Sequence, residues 1–193
     1  MSYDLVDLQK NQTPGVGSGG GIVTTIYACL KSNIKIWPAR GADLVTISTP
    51  FVMELGKYWH QIYATHQTIE PKETKLAGEN KDCGGVEISL PFFHPGISEA
   101  IQSFKAKFMN EDFILAFVDA NLQKTLIIGE AGNPAWIEGW ETGFGKTVAD
   151  GKGTTFTFKC QQSLPMAIYT LDITELLDQG SGSTSPSGSP SGI

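Results

Sequence analysis

The sequence predicts a mainly β fold with one flanking amphipathic α-helix. Short runs rich in β-branched and aromatic residues recur along the chain, separated by turn formers. A single stretch, about residues 97–109, repeats its apolar residues with a helical period. The 193 residues include 22 Gly and 10 Pro, which suits many turns and few long helices.

In chain order, residues 1–21 end in a glycine-rich run and read as a flexible N-terminal arm, because glycine loses the most backbone entropy on ordering. A single β-rich domain is expected over 22–179. Its strands are expected at 22–30, 34–37, 44–48, 59–67, 86–93, 113–118, 122–129, 136–141, 154–160 and 168–173, with 51–58 as a weaker strand. Residues 66–85 form a long polar stretch of mixed charge and are expected to be a loop, a length usually reserved for function or disorder. Pro95-Gly96 breaks the chain and Ser98 can cap the helix, whose Ile97, Ile101, Phe104 and Phe108 share one face. Gln102, Lys105 and Lys107 are placed on the opposite face. Asp119-Ala120-Asn121 reads as a hairpin turn. Phe156 and Phe158 fall on one face of an alternating strand. A short helix is expected at 174–179. Residues 180–193, rich in Gly, Ser and Pro, read as a disordered tail.

Composition narrows the function classes. Hydrophobic residues at 40% and aromatics at 10% suffice for a core, whereas charged residues at 18% fall below the usual share, so part of the surface is expected to face neighbours. A net charge of −6 argues against a phosphate-clamping nucleic-acid reader, but not against a surface that lets a polyanion slide past. No apolar run is long enough for a membrane span, and the first residues lack a signal-peptide pattern. Three cysteines without a CxxC pair read as reduced thiols.

The chemical motifs fail on context. Gly143-Phe144-Gly145-Lys146-Thr147 resembles the end of a phosphate loop, but Trp140 stands where the first glycine belongs, and no helix start follows. Gly15 to Gly20 fits GxGxxG, yet a strand pattern follows it instead of a helix. His60, His66 and His94 have no metal-ligand spacing; Cys83, His94 and Cys160 are the one set worth weighing for zinc. No serine or cysteine has a nucleophile signature. No catalytic residue, metal or cofactor is therefore expected. Trp136 and Trp140, placed on one strand face beside Glu138, read as interface anchors, with a sugar-stacking pair as the alternative.

The order of segments from Leu90 to Tyr169 carries a resemblance. It runs through Phe92-Phe93-His94-Pro95-Gly96, the helix, the Asp119-Ala120-Asn121 hairpin ending in Ile128-Gly129, and the stretch from Thr142 to Phe158; Gly56 to Tyr63 adds to it upstream. This resembles the bacteriophage tail tube protein family, virion structural proteins of tailed phages. The resemblance implies a tail-tube-like β-sandwich or barrel of two sheets with one flanking helix. It also implies subunits that form stacked, hexameric rings around a DNA conduit. Expected partners are copies of itself, other phage tail proteins, and DNA passing without specific binding. The expected location is the phage tail of the virion, after synthesis in the host cytoplasm. A tail terminator or head–tail adaptor ring is the alternative, and a β-sandwich carbohydrate-binding module a second. On the family's analogy, Glu70, Lys72, Glu73, Lys75, Glu79, Lys81 and Asp82 are candidates for a ring-stacking loop. Between 111 and 151 seven acidic residues face two lysines, a net of −5, and Glu130, Glu138 and Glu141 are candidates for an acidic lumen.

Overall fold

The computed structural model describes residues 24–78, 84–119, 124–146 and 151–178. Twelve strands and one α-helix form among them: β1 (Thr25–Leu30), β2 (Ile34–Ile36), β3 (Thr46–Ile47), β4 (Val52–Met53), β5 (His60–Tyr63), β6 (Lys72–Ala77), β7 (Gly84–Pro95), α1 (Glu99–Phe108), β8 (Phe113–Asp119), β9 (Lys124–Ile128), β10 (Ala135–Gly143), β11 (Gly153–Gln162) and β12 (Ala167–Tyr169). The expected mainly β class with a single flanking helix is what the chain adopts. Ten strands share one mixed sheet in the path β3-β12-β9-β8-β10-β11-β7-β6, with β1 and β5 branching from β8; β2 and β4 make a small second sheet.

The large sheet folds over on itself. β8 and β10 share one register pair, Phe113 with Ala135, so the path bends sharply there. The opposite seam closes through the segment after β5. Thr65 N–H donates to the Phe93 carbonyl at 2.8 Å, Glu70 N–H to Pro91 at 3.2 Å, and His94 Nδ1 to the Tyr63 carbonyl at 2.7 Å. The resulting barrel encloses an aromatic core: Phe92 stacks on Phe156 and Phe158, and Phe113 meets Phe158 edge-on at 5.2 Å. Helix α1 lies along this core with Ile101, Phe104 and Phe108 buried, and Ser98 Oγ accepts the Ile101 N–H as its cap.

β1 and β8 are buried on both faces. Ile26, Ala28, Leu30, Phe113, Leu115 and Phe117 enter the barrel core, whereas Tyr27, Cys29, Ile114 and Ala116 enter a second core with Phe51, Trp59 and Tyr169. Two glycines in the stretches that carry the resemblance are there for space. A Cβ at Gly153 would lie 2.4 Å from the Phe93 ring and the His94 carbonyl, and one at Gly129, at φ +103°, would lie 2.7 Å from Ile114 Cδ1.

Several expectations need correction. The stretch 66–85 is not one long loop, because β6 pairs along Lys72–Ala77 with Gly84–Ser89 of β7. Ladder hydrogen bonds, blind to side-chain polarity, set that strand. Residues 51–58 give only the two-residue β4, and the terminal helix is a 3-10 turn at Ile173–Leu176. Lys105 is buried, because the helix flank that carries it turns toward β10. The arm 1–21, the turn residues 120 and 121, and the tail 180–193 lie outside the described residues.

Phe104 is 1% exposed and contacts Phe108, Phe113 and Phe156. Phe104→Ala is expected to lower unfolding free energy by about 3–5 kcal/mol in urea titration.

Candidate functional site

The face of β10, β11 and β7 that points away from the barrel core is polar and cross-linked. Along β11 the even positions Thr154 to Gln162 are buried, so Thr155, Thr157, Lys159 and Gln161 point outward. Lys159 Nζ lies 3.2 Å from both Glu138 of β10 and Glu87 of β7, and Gln161 Nε2 donates to Glu87 at 2.8 Å. The Gln161 and Lys159 hydrogen bonds hold the Glu87 carboxyl below its ordinary range; Glu87 and Glu138 hold the Lys159 ammonium above its own. Two carboxylates against one ammonium leave this row acidic by one charge, and exposed Glu141, paired with Thr155, adds another. The signal was present in the alternation of β11, but only the register brings Glu87 and Glu138 to one lysine.

The candidate acidic residues therefore separate. Glu138 and Glu141 share the outer face. Glu130 does not: it sits in the β9–β10 turn, where Arg40 Nη2 donates to its Oε1 at 2.9 Å and the Ser163 hydroxyl to its Oε2 at 2.9 Å. The tryptophans separate as well. A bulge between Ile137 and Gly139 pairs Trp136 with Lys159 but Trp140 with Phe156, two β11 residues of opposite face. The expectation of one shared face fails for that reason, and a two-tryptophan stacking platform fails with it.

Of the candidate loop residues, Glu70 and Lys72 form an exposed ion pair at 3.1 Å. Glu73 and Lys75 pair with Ile88 and Val86 on the opposite side of β6, and Glu73 Oε2 accepts the Met166 N–H at 2.9 Å. Glu79, Lys81 and Asp82 lie outside the described residues, as does Cys83. β6 itself ends the sheet path, so one of its edges is open among the described residues.

A buried polar row that the sequence reading did not identify crosses the inward face at one end of the barrel. His94, Thr154 and Thr142 are register partners on β7, β11 and β10. Lys105 Nζ donates to Thr142 Oγ1 at 2.7 Å, Thr142 and Thr154 share a hydrogen bond at 3.1 Å, and the amine stands 5.9 Å from the Phe156 centroid. Burial lowers the pKa of both Lys105 and His94. Cys29 and Cys160 are buried thiols; burial and then the Glu130 charge push Cys160 up to about 12. His94 pairs with Thr154 and Cys160 with Ile88, six residues apart along the sheet, so those two do not share a site. No group of three metal-ligating side chains occurs among the described residues, and none of the described helices is long and apolar enough to cross a membrane.

No family model, curated protein or solved structure matches this chain.

The unfolded chain binds a proton at His94 near pH 6.5, whereas the folded chain resists it. Stability is thus expected to fall as pH drops from about 6.5 through the lower folded value. His94→Gln is expected to flatten that slope in pH-resolved thermal melts. Lys105, lowered from 10.5, has the same sign at higher pH: stability rises as the amine deprotonates in the fold. Lys105→Met is expected to remove the rise and raise the neutral-pH melting temperature.

Proposed function

We propose that this protein is a self-assembling virion subunit, a phage tail tube protein whose copies form stacked hexameric rings around a DNA conduit. The observation that carries the reading is the open edge of β6, a six-residue strand at the end of a ten-stranded sheet. Open edges are pairing templates, and monomeric proteins cover or shorten them. The Lys72-Glu73-Thr74-Lys75 pattern rejects promiscuous partners and favours a register that sets Lys against Glu. The edge therefore suits a defined neighbour, a second copy of this chain.

The outward row Glu87, Glu138, Glu141 and Lys159 supports the conduit. In a ring, six copies of a net negative face repel phosphate and let DNA slide without specific binding. The inward faces of β7, β10 and β11 are packed into the aromatic core, which holds the wall that carries that row. The stretches that carry the resemblance to the tube family agree with this reading, since Gly129, Gly153 and His94 serve packing and closure.

Purified protein at high concentration is expected to give rings or tubes in negative-stain micrographs and a ring-sized mass in light scattering. A strict monomer across that range rules the proposal out. A single ring that never elongates reassigns the chain to a terminator or adaptor role.

A further inference from the structure

Strand β6 fixes in advance which of its backbone groups a neighbour can reach. Glu70 N–H donates to the Pro91 carbonyl of β7 at 3.2 Å. On the other edge of β7, Gly96 N–H donates to the Lys152 carbonyl, so the odd-numbered residues of β7 turn toward β6. Antiparallel backbone groups alternate in direction, and Lys72, Thr74 and Leu76 are thus the residues of β6 bonded to β7. Those of Glu73 and Lys75 point out of the sheet. Both residues are exposed, as is Thr74 between them. Glu73 Oε2 accepts the Met166 N–H at 2.9 Å, which leaves its Oε1 for a second donor.

We infer that, in the free subunit, β6 pairs antiparallel with β6 of a second copy about a two-fold axis at Thr74. The inference rests on the reading above that this edge belongs to another copy, and it adds how the edge is held before assembly. Hydrogen bonding and charge together select the register. Donors meet acceptors only when the outward residues of one strand oppose the outward residues of the other. An axis at Glu73 opposes two glutamates, and an axis at Lys75 opposes two lysines. An axis at Thr74 sets each Glu73 against the partner's Lys75, so both cross-strand pairs attract. Thr74 then meets the partner's Thr74 at the closely spaced, non-hydrogen-bonded position, a favourable pair. Pro71, without an N–H, bounds the ladder at each end. Such a contact is isologous and closes as a pair. It withdraws from each copy the edge that ring growth needs, so pairs must part before rings form.

The test follows the full chain by sedimentation velocity below the concentration at which rings appear. Wild type is expected to give a dimer mass. Glu73→Lys and Lys75→Glu each set like charges opposite, and each is expected to weaken the dimer about tenfold or more. Mixing the two variants restores both attractions, as does the double exchange in one chain, and dimers are expected in both samples. Thr74→Cys is expected to cross-link copies under mild oxidation, since opposed Cα atoms at this position lie about 4.5 Å apart. Lys72→Cys, about 13 Å from its counterpart in this register, is expected not to, with wild type as the control for the native cysteines. Charge variants that change nothing, a mixture that restores no dimer, or a missing Thr74→Cys cross-link each overturns the inference. Dimers that appear only after residues 1–20 are deleted also overturn it, because the arm then covers the edge. A wild type that is monomeric at low concentration yet forms rings at high concentration overturns the inference and leaves the proposed function standing. A dimer that obeys every exchange but never yields rings keeps the inference and overturns the proposed function.

Discussion

β8 has no polar face. Its sequence Phe113-Ile114-Leu115-Ala116-Phe117 sends alternate side chains into two separate cores, and β1 beside it does the same. Every other element is arranged around that pair. Each core needs a lid, so α1 with β7, β10 and β11 covers one side, and β2, β4, β12 and the 3-10 turn cover the other. A fully buried strand loses all its hydration, so its backbone groups must be paired on both edges. β1 and β9 supply those partners along β8.

Closure of the barrel follows from the same constraint. With β8 and β10 joined at a single pair, the two halves of the sheet stay together through the aromatic core and the seam at Thr65, Glu70 and His94. That seam explains the stretch Phe92-Phe93-His94-Pro95-Gly96. Phe92 is core, Phe93 lies against Gly153, and His94 closes the wall through the Tyr63 carbonyl. Each residue of this stretch thus has a packing or closing task.

Outside the barrel core, the fold leaves two polar features on its wall: the open edge of β6 among the described residues, and the Glu87–Lys159–Glu138 row across β7, β11 and β10.

The sequence by itself determined most of the strands, the helix with its Ser98 cap, and the placing of Phe156 and Phe158 on one face, because these depend on local period and capping chemistry. It also set the net charge of −6. Tertiary structure decided the rest. β6 was hidden by its charge, since a strand can form through its ladder without an apolar stripe. The bulge near Glu138 shifts register by one residue, which no alternation pattern announces, and it sends Trp136 and Trp140 to opposite faces. Lys105 looked like a surface residue until β10 supplied Thr142 as its partner. Glu130 left the acidic set because Arg40, distant in sequence, folds against it. Period and propensity are local properties of a chain; register and long-range pairing exist only once the sheet has closed.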